Sequence, residues 1–432
     1  MIARYCRPEM TKIWSLQHKY QCWLTVEIAV CRAMNRIGLL PAEDLKNIVS
    51  KASFSEARIE EIELVTKHDF IAFLTNVTET VGTSGRWIHF GMTSSDVIDT
   101  ALAMQCKQAG ELIIKEINSL CQALKLRSLE FKKVLSIGRS HGIHAEPTSF
   151  GLKFALWYDE MQRNRQRITA AIESMTVGKI SGAMGNYAHL DPRIEEYACA
   201  DLGLKPVHIA TQVIQRDLHA ELISMIAIIG STMEKIAIEI RHLQRTEVLE
   251  VEENFTSGQK GSSAMPHKKN PITCEQITGL ARILRTNAQA ALENNALWHE
   301  RDLSHSSVER IIIPDSTILL HYMLHQMTWI IKDLVVYQDN IARNLQQTQG
   351  LIFSQILLLK LTASGLTREK AYEIVQRNAL VCWEKKINFQ DLIQQDQELM
   401  DNLCREEIEE IFSDHRYLKN IDYIYQKIGL NN

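Results

Sequence analysis

The chain has 432 residues, 45% of them hydrophobic and 23% charged, with a net charge of −4. That length points to two or three domains rather than one simple core, and the balance excludes a disordered chain. The weak negative charge excludes a global basic field for nucleic acid, so an anionic substrate must meet a local cluster of Lys and Arg. The apolar run Leu222–Gly230 is far short of the ~20 residues a membrane span needs. Lys12, His18, Lys19 and Glu27 interrupt any signal-peptide core, which predicts a cytoplasmic protein with no membrane partner. Nine cysteines without a CxxC pair read as reduced, mostly buried thiols.

The eight prolines leave 42–146 and everything after Pro314 free of proline, which favours long helices. Apolar spacing of three and four predicts helices over about 101–136, 152–175, 275–295 and 315–345. The longest covers 211–254 through Val213, Ile214, Leu218, Leu222, Met225, Ile229, Met233, Ile236, Ile240 and Leu243. At ~1.5 Å per residue it would reach roughly 60 Å, a length suited to a bundle. Ile226–Ile229 is apolar without a break, and a helix apolar on all faces is buried on all faces; a lone chain is not expected to cover it. Gly365 reads as the residue just past a helix end and Thr367 as the N-cap of the next helix. The expected fold is all-α, with an N-terminal helical domain at 1–105, a central long-helix bundle at 106–364 and a small C-terminal helical domain at 365–432.

Three segments carry chemistry. Residues 87–96 read WIHFGMTSSD, in which Thr93 and Asp96 have capping-box spacing; a helix start is also an anion site. Residues 138–147 read GRSHGIHAEP. His141 and His144 lie three apart with Glu146 nearby, so zinc must be weighed, but no HExxH and no cysteine cluster completes a site, and no metal is expected. Residues 254–271 read NFTSGQKGSSAMPHKKNP, a Gly/Ser loop with three lysines between two predicted helices. Its free N–H groups and lysines suit carboxylates, although a generic loop of this kind is a plain connector. The helix after it has Thr273 as a plausible N-cap, with Gln276 completing a capping box and Ile272 and Ile277 placed as a hydrophobic staple. No dinucleotide fingerprint or P-loop occurs, and no cofactor is expected.

The string GSSAMPHKKNP closely resembles the signature of the fumarase/aspartase superfamily, and the other two segments resemble that superfamily's remaining catalytic regions. The resemblance runs from MIARYCRPEM to YLKNIDYIYQKIGL. In Arg4-Tyr5, Lys67-His68-Asp69, Gln212, Arg301, Ser306 and Arg310 it is closest to the short bacterial form of the branch that cleaves succinyl-purine nucleotides. This implies β-elimination of fumarate from succinyl-AMP and from the succinyl-carboxamide ribotide of purine synthesis. It further implies Ser262 as the base and His141 as the acid, with Lys268, Asn270 and loop N–H groups stabilising the carbanion. Glu275 is a candidate to orient His141, and His68 is a second candidate for the acid or a phosphate-side ligand. Thr93 and Ser94 would hold the dicarboxylate end, with His89 and Ser263 completing the binding set. The superfamily's sites lie at junctions of three chains, which implies a D2 homotetramer. Gln276 stands where some relatives carry Arg, which puts a binding contact there in doubt. An argininosuccinate lyase, a carboxymuconate cycloisomerase and a catalytically silent crystallin-like protein are the rival readings.

Overall fold

The structure, a computed structural model, describes residues 2–256, 258, 261, 264–413 and 415–430. The chain is 68% helical. Among the described residues the strands form three two-stranded pairings, so the all-α expectation holds. No described helix is long and apolar enough to cross a membrane. All nine cysteines are free and seven are buried, as their spacing predicts.

Five helices exceed or approach the expected lengths: Ser94–Glu130, Gly151–Met175, Asp217–Leu243, Ile272–Glu293 and Ser304–Asp333. The third corrects the sequence reading. It spans 27 residues, not the whole of 211–254. Before it, the Ile214 N–H donates to Asp99; after it, the Glu250 N–H returns to the Leu243 carbonyl and Leu249 adopts a left-handed φ of 42°. Val248 and Val251 continue the apolar rhythm, but as buried turn and strand residues. The helix expected over 315–345 also overruns. It starts earlier, at Ser304, takes Pro314 into its interior, and ends at Asp333; a second helix covers Gln338–Leu345. Both overruns have one cause, the antiparallel pairing of Val251–Glu252 with Val335–Val336. Backbone pairing between residues so far apart in sequence, Val251 with Val336 and Glu252 with Val335, leaves no trace in local periodicity.

The apolar Asp217–Leu243 helix is also better covered than expected. The chain itself buries Ile223, Ile226, Ile229, Met233, Ile236 and Ile240, and the exposed apolar positions are Ile228 and Ile238. Ile228 lies within the continuous apolar run, so the chain covers that run only in part.

The chain divides into two compact units. One holds residues through Ser119, Met161–Lys235 and Gln276–Met327; the other holds Leu120–Glu160, Ile236–Glu275 and Thr328 onward. Every division falls inside one of the five long helices, and residue 105, the expected end of the first domain, lies within Ser94–Glu130.

In the first unit, the helix Leu16–Arg36 starts at Ser15, whose hydroxyl accepts the His18 N–H. It buries Tyr20, Trp23, Val26, Val30 and Met34 against Phe70, Phe73 and Val77. Trp23 meets Phe70 and Phe73 edge-on at 5.1 and 5.4 Å between ring centroids. In the second unit, Ile356, Leu357, Leu361, Ile374, Phe389 and Ile408 form a separate core. Gly365 and Thr367 behave as the sequence predicts. Gly365 has φ +112°, its N–H reaches Thr362 O, and the Leu366 N–H reaches Leu361 O, a Schellman ending. The Thr367 hydroxyl accepts the Lys370 N–H of the next helix.

Candidate active site

The first unit carries most of the expected binding residues, and its backbone chemistry fixes them. Asp96 starts the Ser94–Glu130 helix by accepting the Thr93 N–H at 2.8 Å, the carboxylate half of the expected capping box. The same fully buried carboxylate takes Lys179 Nζ at 2.5 Å and the N–H groups of Ser181 and Gly182. Thr93 and Ser94 thus sit half-buried at a firmly anchored helix start, where the helix dipole favours an anion. Gly91 precedes it with φ +75°, and a Cβ there would lie 2.8 Å from the His189 carbonyl.

His89 is held just upstream. Its N–H and its Nδ1 both donate to the Glu27 carboxylate, at 2.8 and 2.9 Å, and its ring lies 5.1 Å from Phe70. That arrangement leaves Nε2 as the available nitrogen. Glu27, which holds His89, was not singled out by sequence reasoning. A buried acid on the same helical face as Trp23 and Val30 was the available signal, because an uncompensated carboxylate does not sit in a core.

His68 caps the helix Asp69–Val81, its Nδ1 accepting the Ile71 N–H at 3.3 Å, so its proton sits on Nε2. Lys67 ends the preceding helix in the left-handed region, φ 51°. Burial pushes the Asp69 carboxyl up, but the charges of Arg310 and Lys19 outweigh it and hold the carboxyl below its ordinary range. Arg310 meets Asp69 at 2.8 Å. Lys19 was also missed. It lies over Tyr20 and Trp23 at 4.8 and 4.6 Å, and burial pushes its ammonium pKa down. Its i,i+4 spacing to Trp23 on an apolar face was the clue.

Gln212 accepts from Arg301 Nη1 at 3.3 Å, and Thr211 Oγ1 donates to the Glu300 carbonyl, tying the two segments together. Ser306 lies in the first turn of Ser304–Asp333, with Arg310 one turn further on. Arg4 and Tyr5 lie in a short 3-10 turn, Tyr5 packing on Tyr322 at 5.4 Å. The following Arg7 pairs with Glu116 at 2.7 Å. The first unit therefore contains Arg4, Tyr5, Lys67, His68, Asp69, His89, Thr93, Ser94, Gln212, Arg301, Ser306 and Arg310.

The second unit contains the other expected catalytic residues among those described, His141, Lys268 and Glu275. Residues Leu135–Ser140 and Ile143–Ser149 form an antiparallel hairpin that the sequence reading did not anticipate. Ser140 pairs with Ile143, so His141 and Gly142 are a two-residue turn, with φ 55° and 79°. Those positive values are what a tight primed hairpin turn demands, and they put His141 at an exposed tip. His141 has neither hydrogen bond nor ion pair to Glu275, which is itself exposed. Below the tip, Arg139 forks onto the fully buried Glu250 at 2.6 and 3.2 Å. Burial, then the Arg139 charge, pushes the His144 pKa down. Among the described residues no group of three His, Cys, Asp or Glu side chains is placed to hold a metal.

Ser262 and Ser263 lie outside the described residues. Around them, Asn270 Nδ2 donates to the Gly261 carbonyl at 2.9 Å. A Cβ on Gly261 would come within 2.0 Å of the Lys268 carbonyl, so only glycine fits that close passage. Lys269 pairs with Glu252 at 2.6 Å, while Lys268 is exposed and has no ion-pair partner among the described residues. The helix behind the loop begins at Ile272, which corrects the expected Thr273 cap. Thr273 lies in the first turn, and the Glu253 carboxylate accepts the N–H groups of Thr273 and Cys274 at 3.2 and 2.6 Å. A carboxylate from across the loop does the job expected of Thr273 and Gln276, so it closes the loop's base as it caps the helix.

Among the solved structures that share this fold, two superpose over nearly the whole chain. The crystal structure of fumarate lyase from Mesorhizobium sp. BNC1 superposes with a TM-score of 0.90 at 24% identity, over 99% of each chain. The 3-carboxy-cis,cis-muconate lactonizing enzyme from Pseudomonas putida gives a TM-score of 0.90 at 24% identity, covering 99% of this chain and 98% of that one. Residues 4–284 match the family model described as Lyase. Fold and motifs thus define the class, a helical lyase of the fumarase/aspartase type. Residues 350–428 match the model described as Adenylosuccinate lyase C-terminus. The chain is 49% identical over 430 residues to the adenylosuccinate lyase of Bacillus subtilis (strain 168) and 50% identical over 431 residues to that of Synechocystis sp., in each case across 100% of both chains. The chain belongs to the adenylosuccinate lyase family.

Proposed function

We propose that the chain eliminates fumarate from adenylosuccinate to leave AMP, and from the succinyl-carboxamide ribotide to leave the free carboxamide ribotide, with no metal or organic cofactor. The observation that carries this reading is the full-length identity of about half to adenylosuccinate lyases, with His141, Ser262, Lys268 and Asn270 all present in their motifs.

Ser262 takes the proton from the succinyl carbon next to a carboxylate. The electron pair left behind delocalises onto that carboxylate, where Lys268 and the loop N–H groups oppose the added charge. The pair then forms the new C=C bond as the C–N bond breaks, and His141 delivers a proton to the departing purine amine. A histidine at a hairpin tip with no partner among the described residues is open to such a role. His68 remains the second acid candidate, since its cap bond leaves Nε2–H free to donate. The binding set in the first unit supplies cations for phosphate and carboxylates: Arg4, Lys67, Arg301 and Arg310, with the helix start at Thr93 and Ser94. Gln276 offers an amide where an Arg would offer a charge. Assembly as a homotetramer with sites shared between chains is part of the proposal. It is supported by the unpartnered His141 and by the exposed apolar Ile228, Ile238, Ile283 and Leu292 on long helices. A cytoplasmic location fits a nucleotide substrate.

The test is direct. Purified protein is given adenylosuccinate, the carboxamide ribotide, argininosuccinate and carboxymuconate separately, and fumarate or lactone is measured. Turnover of the first two, each inhibiting the other competitively, is expected. Turnover only of argininosuccinate or carboxymuconate overturns the assignment.

A further inference from the structure

Arg216 lies just before the Asp217–Leu243 helix, and its side chain is almost fully buried at 2% exposure. Its guanidinium is used on every side. Nη1 and Nη2 fork onto Asp99 at 2.8 and 2.9 Å. Nε and Nη2 reach Glu309 at 2.9 and 3.2 Å, and Nη1 also donates to the Ile214 carbonyl at 2.7 Å. His305 Nδ1 lies 3.1 Å from both Arg216 Nη2 and Glu309 Oε2. Asp99 in turn accepts the Ile214 N–H at 2.9 Å. Burial pushes the Asp99 carboxyl up, but the Arg216 charge and hydrogen bonds prevail and hold it at about 2.

The partners come from three chain segments, each of which carries candidate substrate residues beside its cluster member. Asp99 follows Thr93 and Ser94 on one helix. Ile214 and Arg216 follow Gln212. His305 and Glu309 alternate with Ser306 and Arg310. On a helix, 305 and 309 share one face, and 306 and 310 share the next, turned by about 100°. Fixing the inner pair therefore fixes the direction of the outer pair. A planar fork against two carboxylates tolerates little rotation or sliding. A buried ion cluster adds little net stability over apolar packing, so stability is a weak reason for its presence.

We propose that the Asp99–Arg216–Glu309 cluster is a positioning device that sets Gln212, Ser306 and Arg310 in register with the Thr93–Ser94 helix start and thereby sets substrate affinity. This rests on the substrate-site reading above.

The test uses two cluster variants of the full-length enzyme. Glu309→Gln keeps volume and an acceptor but loses charge; Arg216→Lys keeps charge but loses the fork. Each is expected to raise KM for adenylosuccinate about tenfold with kcat within about threefold. In an Arg310→Gln background, Glu309→Gln is expected to add less than about twofold, because the residue it positions is gone. A fall in melting temperature with KM unchanged, or an equal KM rise in both backgrounds, overturns the proposal. If Glu309→Gln does not fold, Arg216→Lys carries the same comparison; if neither folds, the cluster is structural and the proposal fails. Arg310→Gln and Gln212→Ala with wild-type KM would instead sink the substrate-site reading itself.

Discussion

The two units hold several of their candidate site residues differently. In the first, some have partners in their own chain: His89 has Glu27, His68 has the Ile71 N–H, Arg310 has Asp69, and the helix start at Thr93 has Asp96. In the second, His141, Lys268 and Glu275 project without an ion pair among the described residues. Binding groups gain from being preorganised before substrate arrives. Groups that move protons must be free to change protonation state and partner during turnover. The contrast fits the proposed reaction, with recognition residues held by their own chain and proton-moving residues left without an ion pair among the described residues.

The sharpest way to break that comparison is to disable the second unit alone. His141→Ala and Ser262→Ala are each expected to lower kcat by about 10³-fold or more while KM moves little. Mixing the two inactive proteins under conditions that exchange subunits is then expected to restore activity. If His141 and Ser262 of one site come from different chains, about a quarter of sites in random tetramers receive both intact. Hybrid tetramers that form and stay inactive would show that each chain builds its site alone, and the contrast would then lie within one chain.

A finer test leaves the chemical groups in place and moves their frame. Gly261→Ala puts a methyl 2.0 Å from the Lys268 carbonyl, so the loop must shift. The expected result is a loss of about a hundredfold in kcat, or about 2.7 kcal/mol, with little change in melting temperature, since the described loop residues 264–269 are exposed. Wild-type turnover in that variant would mean that the tight passage at Gly261 does not place Lys268 or Asn270 for the reaction.

The same contrast explains what was legible in the sequence. The motif strings point to a candidate site because glycine, hydroxyl and lysine content in a loop is local information. The Gly365 ending and the Thr367 cap are equally local, and both were readable. The devices that hold the site were not. Glu253 caps a helix 20 residues away, Glu27 holds His89 across 62, and Arg216 reaches Glu309 across 93. Each looks like an ordinary charged residue until the fold buries it. The hairpin at 135–149 was hidden because its polar motif has no clean alternation, and the helix ends near 243 and 333 because a two-residue strand pairing overrides an apolar rhythm. Thr273 was misread by two residues of register: the helix starts at Ile272, so the cap position falls on residue 271 and Thr273 lies within the first turn.

The smallest expected effect concerns what the pinned unit gives up in acid. His219 is almost fully buried, and neither ring nitrogen has a hydrogen-bond partner among the described residues. Burial, then the adjacent Arg216 charge, pushes its pKa down from 6.5 to about 4; Glu309 and Asp99 oppose that shift, and His305 adds to it. Because the folded value lies below the unfolded one, the unfolded chain takes up the proton first. The stabilisation is fully present above the unfolded value near 6.5 and drains as pH falls towards about 4. Between about pH 7.5 and about pH 5 the loss from this one ring amounts to about 2 kcal/mol. His219→Leu removes the titrating ring and two unpartnered nitrogens, so its denaturation midpoint is expected to fall less than that of the wild type over the same interval. His141→Ala, which removes an exposed ring at the hairpin tip, is expected to leave the acid loss as it is. Equal acid losses in wild type and His219→Leu would show that the buried histidine is not what makes the first unit acid-sensitive. An acid loss that disappeared in His141→Ala would place the sensitivity in the second unit and reverse the comparison.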